Sequence, residues 1–231
     1  MRSPSAGTGN LYLRCFTERR GVPGVRTNQP RQKPTFEIAA TRDSHEQLHE
    51  SGGHAVSDEE IGELRARVGR LEDREEIRDL VARYGRAVDD RDWESLADQY
   101  TQDAVFDSAQ GRSIGTTAII DYYRVRTADY VASYHYPHSH EITFVDVDAA
   151  TGLVCAHAEL TIGGETIWVA LRYVDDYRRV DGGWRFHERV TRILYVLKLS
   201  ELPTGFADRM RIRWPGVDPA PAEIGADVEA G

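Results

Sequence analysis

The chain has 231 residues, and its 38 Asp and Glu outnumber its 29 Lys and Arg to give a formal net charge of −9. That length holds one ordinary domain with extensions or two small domains. The acidic balance argues against a general nucleic-acid-binding protein, which depends on clustered basic side chains, and no window is apolar enough to span a membrane. Two cysteines, Cys15 and Cys155, are too few for a disulfide framework, so we expect a cytoplasmic protein held together by packing.

Composition divides the chain into three segments. Residues 1–56 are basic near the start, contain scattered prolines and glycines, and show no apolar periodicity, so they predict a disordered extension and a linker. Residues 57–200 carry the apolar patterns of regular secondary structure and predict the folded domain. Residues 201–231 predict a C-terminal extension that ends in an acidic tail.

A long helix is predicted at the start of the folded domain. Ser57 and Glu60 have the spacing of a capping box, in which each side chain satisfies a backbone N–H of the other residue. Apolar residues then recur at steps of three and four from Ile61 to Val88. This pattern predicts one amphipathic helix or two helices in series.

Two shorter helices and a strand are predicted next. Asp92 can cap a helix that runs from Trp93 to about Tyr100, and residues 103–107 are strand-like. A third helix is predicted from Thr116 or its neighbour through Tyr123.

The remaining part of the domain predicts strands. Four segments rich in Val, Ile, Thr, Tyr and Trp are separated by short turns with Gly or Asp: residues 135–147, 153–162, 166–179 and 184–197. Short connections imply antiparallel pairing, because a parallel pair needs a long crossover. Helices followed by a strand meander predict an α+β domain with the helices packed on one face of the sheet.

Three histidines stand at the start of the first of these strands. Period-two alternation places His138 and His140 on one face, with His135 further back beyond a proline. Three imidazoles could bind a metal ion, but a cupin-like site would need a glutamate where Phe144 and Val145 stand, so we expect no metal. The other interpretation is that one histidine is a general base oriented by a carboxylate from elsewhere in the fold.

Tyr84 and Asp89 are polar residues at the end of the apolar stripe of the first helix. Their spacing lets both side chains lean toward the same interior, although Asp89 can equally begin a solvated turn. Polar residues also interrupt the later strands, and each of them is either solvent-facing or an anchor for a substrate oxygen.

These segments together resemble a known family. The run Leu71–Leu96, followed by Asp103–Asp107, resembles the opening of a SnoaL-like domain, and Tyr177–Phe186 resembles its penultimate turn and last strand. Such domains belong to the cone-shaped nuclear-transport-factor-2-like superfamily, in which N-terminal helices pack on a curved antiparallel sheet. The resemblance covers about residues 57–200 and is specific for the fold and much less so for the reaction. Within the superfamily the chain most resembles the group of scytalone dehydratase, bile-acid 7α-dehydratase and hexachlorocyclohexane dehydrochlorinase.

The resemblance implies an Asp–His catalytic pair. Asp89 and His135 stand where that group has its catalytic aspartate and histidine, and Tyr84 matches an active-site tyrosine of the bile-acid enzyme. Members of the group are lyases that need no cofactor, so none is expected here.

Five further residues are expected to contact the substrate. The resemblance places His138 and Arg192 at or next to functional positions of the bile-acid enzyme, and Glu159 next to the residue that aligns with a further polar position. Trp168 and Tyr123 are candidate walls of the pocket.

The implied function is a dehydratase-type elimination on a small, hydrophobic, cyclic substrate that contains a carbonyl group. Three alternatives remain open: a polyketide cyclase or ketosteroid-isomerase-like enzyme, a non-catalytic ligand-binding or assembly domain of the same fold, and a metalloprotein that uses the three histidines. The expected partner is a small-molecule substrate, with no nucleic acid or membrane. The resemblance also implies a homo-oligomer, either a dimer or a trimer.

Overall fold

The structure is a computed structural model that describes residues 56–223. The predicted N-terminal extension therefore lies outside the described residues except for Val56, and so does the end of the acidic tail. No helix within residues 56–223 is both long and apolar enough to cross a membrane.

The predicted helices and strands are present in the predicted chain order, with one further short strand and one short C-terminal helix. The helices are α1 (Asp58–Asp89), α2 (Trp93–Asp98), α3 (Thr116–Arg126) and α4 (Leu202–Gly205), the last preceded by a 3-10 turn at Leu199–Glu201. The strands are β1 (Tyr100–Ser108), β2 (Gly111–Ile114), β3 (Tyr130–Phe144), β4 (Ala149–Ile162), β5 (Glu165–Val180) and β6 (Gly183–Lys198). The α+β class is thus confirmed.

Helix α1 is a single helix with the predicted cap. The hydroxyl of Ser57 accepts a hydrogen bond from the Glu60 N–H at 3.2 Å, and the Glu60 carboxylate accepts one from the Ser57 N–H at 2.8 Å. Burial of the apolar stripe is complete only from Ile77 onward, because Leu64 and Leu71 remain 53% and 62% exposed. The second half of α1 is therefore the part that packs on the sheet and carries the site.

The six strands form one mixed sheet in the order β2-β1-β6-β5-β4-β3. Strands β3 to β6 form the predicted antiparallel meander. Strand β1 pairs with β6 in parallel, which departs from the fully antiparallel sheet that was predicted. The turn signals could not predict this pair, because they report only on strands that are consecutive in the chain.

Strands β4 and β5 show the alternation that separates the two faces of the sheet. Ala158, Val169 and Leu171 point inward and are buried, whereas Glu159 and Trp168 point outward and are half-buried. Helices α1 and α3 pack on the inner side of the sheet, as the order of the elements predicted. The space that they enclose with the sheet holds the candidate site.

A buried ion pair lies at the centre of the inner face. Arg189 is fully buried, and its Nε and Nη2 donate to the two carboxylate oxygens of Asp175 at 2.8 and 2.7 Å. The guanidinium carbon lies 4.0–4.1 Å from the ring centroids of three aromatic residues, namely Tyr84, Tyr173 and Phe186. Bidentate pairing and cation–π contacts together fix both the charge and the rings around it.

The ion pair continues into a chain of hydrogen bonds. The Tyr177 hydroxyl donates to Asp175 at 2.7 Å and lies 3.0 Å from Nε2 of His140. Since the tyrosine proton is engaged, His140 must donate through Nε2–H, and burial lowers the pKa of His140 to about 4. Gly152 makes room for this pair, because a Cβ at that position would lie 2.7 Å from Tyr177.

Removing one member of the ion pair should be far more destabilising than removing both charges. We expect Arg189→Met to lower the free energy of unfolding by about 3–5 kcal/mol, because it leaves the Asp175 carboxylate buried without a counter-charge. The double variant Arg189→Met/Asp175→Asn should recover most of that loss in urea denaturation. Arg124→Met is the matched control, since Arg124 pairs with Asp121 at the surface and its loss should cost about 0–1 kcal/mol. Equal losses for the single and double variants would contradict the prediction.

The lowered pKa of His140 predicts a stability that falls with acid. The folded-state pKa of about 4 lies below the ordinary value of 6.5, so the unfolded chain binds the proton more readily. The contribution of His140 should be complete above pH 6.5, should decrease as the pH falls to about 4, and should then stay constant. Urea denaturation of the wild type and of His140→Gln across this range should give a difference in unfolding free energy that shrinks toward pH 4. A pH-independent difference would argue against this assignment.

Candidate active site

The end of α1 is tied to the beginning of β3. The helix ends at Asp89, and Arg91 then takes a left-handed backbone conformation with φ of 55°. The Arg91 guanidinium donates to the carbonyl oxygens of Thr127 and Tyr130, which directly precede and begin β3. This contact fixes where the last turn of α1 meets the first residues of the strand.

Asp89 and His135 are in direct contact at this junction. The Oδ1 atom of Asp89 lies 2.6 Å from Nδ1 of His135, and the two side chains are only 15% and 16% exposed. The same carboxylate accepts from the Ser133 hydroxyl at 3.1 Å and from the His135 backbone N–H at 2.8 Å. Three donors from one short stretch of β3 therefore hold the carboxylate in a single orientation.

The contact decides which nitrogen of His135 is available for chemistry. A carboxylate acceptor at Nδ1 favours the tautomer that carries its proton there, which leaves the lone pair on Nε2. No group of residues 56–223 forms a hydrogen bond with Nε2, and His135 lines the cavity between helices and sheet. The imidazole can therefore accept a proton from a molecule in the cavity.

Gly85 allows α1 and β3 to approach this closely. A Cβ at Gly85 would lie 3.3 Å from Cβ of His135 and 3.5 Å from its carbonyl oxygen. Glycine within a helix costs about 1 kcal/mol relative to alanine, so its presence here fits a packing requirement. The distance between helix and strand depends on this missing side chain.

The cavity in front of His135 has a volume of ≈ 90 Å³ and is mainly apolar. Its walls include the side chains Val88, Phe106, Leu160, Val169, Leu171 and Ile193. Electrostatic interactions are stronger in such surroundings than in water, so a charge that develops near His135 is sensitive to the few polar groups present.

Tyr84 and Tyr123 supply two of these polar groups. Their hydroxyl oxygens lie 2.7 Å apart, both residues line the cavity, and both are at most 5% exposed. Burial raises the pKa of Tyr123 well above its ordinary value, so this phenol keeps its proton. When one hydroxyl donates to the other, the accepting hydroxyl still has its own O–H for a third group.

Part of the C-terminal extension also reaches the cavity. Ile212 forms isolated bridges with Val196 of β6 and with Ala220, so the segment folds back on the sheet. Trp214 from this segment lines the cavity, and the Arg126 guanidinium stacks on its ring at 4.3 Å. Trp214 lies beyond residue 200, where the sequence predicted that the domain ends, so no pattern pointed to it.

Tyr123 lines the cavity, but the other four residues expected to bind substrate do not. These four are on or toward the outer face of the sheet: His138, Glu159, Trp168 and Arg192. Ala158 pairs directly with His135 and points inward, so its neighbour Glu159 points outward. On β6 the same alternation turns Thr191 inward. The sequence pattern did not predict this, because threonine is common on either face of a strand.

The three histidines of β3 do not form a cluster. Each imidazole has a different neighbour: His135 contacts Asp89, His138 contacts His157, and His140 contacts Tyr177. A bulge between residues 137 and 139 shifts the alternation, so the prediction that His138 and His140 share a face was wrong. Within the part of the chain that the structure describes, no group of three or more His, Cys, Asp or Glu could hold a metal ion.

Known structures share this architecture. The crystal structure of LinA is 27% identical over 58% of this chain and 93% of LinA, with a TM-score of 0.56. The hexachlorocyclohexane dehydrochlorinase LinA-type3 from Novosphingobium barchaimii LL02 is 26% identical over 58% of this chain and 94% of its own, with a TM-score of 0.55. A scytalone dehydratase-like protein from Novosphingobium aromaticivorans DSM 12444 is 20% identical over 56% and 89%, with a TM-score of 0.53, and is alike in fold alone. Comparison with curated proteins found no match.

The family model described as a SnoaL-like domain matches residues 69–190, which is more than half of the chain. The matched region contains Tyr84, Asp89 and His135, and the neighbouring structures include nuclear-transport-factor-2-like proteins. The chain therefore belongs to the SnoaL-like domain family.

Proposed function

We propose that the protein is a cofactor-independent lyase that eliminates water from a small, hydrophobic, cyclic carbonyl compound. One observation carries the proposal: the Asp89 carboxylate contacts Nδ1 of His135, which leaves Nε2 without a hydrogen bond in the described chain, and His135 lines an apolar cavity. The similarity to LinA and to a hexachlorocyclohexane dehydrochlorinase supports elimination chemistry at the level of the family.

His135 acts as the general base in this proposal. Its Nε2 removes the proton from the carbon next to the substrate carbonyl, where the carbonyl makes the C–H bond acidic. The imidazolium that forms is stabilised by Asp89, whose carboxylate stays fixed because Ser133 and the His135 backbone also donate to it. General acid–base catalysis of this kind contributes roughly 10²–10⁴-fold to the rate.

The two tyrosine hydroxyls stabilise the negative charge that moves onto the carbonyl oxygen. Tyr84 and Tyr123 are hydrogen-bonded to each other, so the O–H of the accepting hydroxyl can donate to the substrate oxygen. Loss of a single pre-oriented donor in such a site typically lowers the rate by about 10²–10³-fold.

The second half of the reaction restores the protein. The carbon–oxygen bond to the hydroxyl group breaks, the former C–H electron pair becomes the new double bond, and the proton on His135 leaves with the hydroxyl as water. An isomerase or cyclase would use the same base without releasing water, so the mass of the product distinguishes these reactions. A binding domain would leave the substrate unchanged.

Replacing either member of the dyad should abolish turnover without unfolding the protein. We expect Asp89→Asn and His135→Gln each to lower kcat/KM by about 10²–10⁴-fold on a panel of cyclic β-hydroxyketones, while Tm changes little. The absorbance of the conjugated enone measures the reaction, and mass spectrometry confirms the loss of water.

His138→Gln is the matched control for these variants, because His138 contacts His157 away from the cavity, and its turnover should equal that of the wild type. Wild-type rates in both dyad variants would show that the dyad is not catalytic. A wild-type protein that binds members of the panel and converts none of them would favour the binding domain.

Gly85→Ala should change the position of His135 without lowering the stability of the protein. The added Cβ would lie 3.3 Å from Cβ of His135, so the strand must move by a few tenths of an ångström. The gain of about 1 kcal/mol in helix propensity offsets this strain, so Tm should hold while kcat falls about tenfold. Gly69→Ala is the control, because its Cβ meets nothing within 4 Å, and it should keep full turnover with an equal or higher Tm. Full turnover in Gly85→Ala would mean that the spacing does not matter for catalysis.

A further inference from the structure

Thr191 carries a buried hydroxyl group that has no hydrogen-bond partner among residues 56–223. The residue is only 9% exposed and lines the same cavity as His135. Its Oγ1 is one of the few buried polar atoms among residues 56–223 without a hydrogen bond, and of those atoms it alone belongs to a residue of this cavity. Thr191 therefore borders the cavity and carries a buried hydroxyl whose hydrogen-bonding capacity the described residues leave unused.

Four other hydroxyl groups of the wall are already engaged. Tyr84 and Tyr123 are bonded to each other at 2.7 Å, and Ser108 lies 3.3 Å from the hydroxyl of Tyr122. A valine would fill the position of Thr191 with nearly the same shape and without an unsatisfied polar atom. The presence of threonine thus points to a hydrogen bond that only a ligand completes.

The position of Thr191 in the sheet shows which end of a ligand it meets. Thr191 on β6 pairs with Tyr173 on β5, whereas His135 pairs with Ala158 on β4. Two strands, β5 and β4, lie between the strand of Thr191 and the strand of His135. Most of the cavity side chains on these two strands are apolar, such as Leu171. Thr191 therefore meets the part of the ligand that is remote from the base.

We propose that Thr191 is a specificity-determining residue that selects substrates with a second oxygen atom. The substrate class is a cyclic compound with the reacting carbonyl near His135 and a hydroxyl or carbonyl oxygen at its far end, hydrogen-bonded to Oγ1 of Thr191. This inference rests on the proposed function for the reacting end alone. Recognition of the far end is a separate contact, and it can be measured without turnover.

The test compares two matched ligands in three proteins. The ligands are cyclic β-hydroxyketones that differ only in a remote ring substituent, hydroxymethyl in one and the near-isosteric ethyl in the other. Calorimetry gives the Kd of each ligand for the wild type, Thr191→Val and Thr191→Ser. We expect the wild type to bind the hydroxymethyl compound about tenfold more tightly, Thr191→Ser to keep this preference, and Thr191→Val to lose it.

The melting temperature of Thr191→Val distinguishes ligand recognition by Thr191 from a purely structural role. Thr191→Val removes an unpaired buried hydroxyl, so its Tm should equal or exceed that of the wild type. A clearly lower Tm would show that the hydroxyl has a structural partner and would overturn the proposal. The same Kd ratio in the wild type and in Thr191→Val, or no binding of either ligand to the wild type, would overturn it as well.

The His135→Gln variant keeps this result distinct from the catalytic proposal. It should lose turnover and retain the wild-type preference for the hydroxymethyl ligand. If His135 proves not to be catalytic, the Kd ratio still decides the role of Thr191. If the ratio fails while His135→Gln is inactive, the lyase function stands and the specificity assignment falls.

Discussion

The carboxylate of Asp89 joins the two elements on which the site depends. Strand β3 is at the edge of the sheet and has a strand neighbour, β4, on one side only. Its support at the position of His135 comes from α1, because Asp89 accepts three hydrogen bonds from residues 133–135 and Gly85 lets the helix come close. The end of the helix thus holds the imidazole of this edge strand in one orientation. A general base that acts in a small cavity requires such a fixed orientation.

The ion pair of Arg189 and Asp175 fixes further side chains in the core next to the site. Burying two charges costs several kcal/mol of desolvation per ion, so the pair adds little net stability compared with an apolar replacement. Its cation lies against the ring of Tyr84 and thereby fixes a group that faces the cavity. Through Tyr177 the same network reaches His140, so the stability of the sheet and the geometry of the site depend on connected contacts.

Local sequence signals predicted most of the helices and strands. They did not show which face of the sheet each strand residue points to, and this limited the prediction of the site residues. The capping box at Ser57, the apolar stripe and the turns each report on nearby residues, and the structure follows them. Arg189 and Arg192 look alike in the sequence, yet one is buried at the centre and the other lies on the outer face. Which residue points inward depends on bulges and on pairing between distant strands, as at His138, and a sequence pattern does not contain that information. The contact of Asp89 with His135 was inferred from the family, because the two residues are 46 positions apart.

The proposed catalytic residues lie within the family match, whereas part of the cavity wall lies beyond it. The family match ends at residue 190, so it includes Asp89, His135 and Tyr84. Thr191 follows immediately after it, and Trp214 belongs to the C-terminal segment that folds back on β6. Similarity to the solved relatives therefore bears on the type of chemistry through the matched residues. The part of the cavity wall formed by Thr191, Ile193 and Trp214 consists of side chains that the match does not contain, so the substrate has to be derived from this chain's own residues.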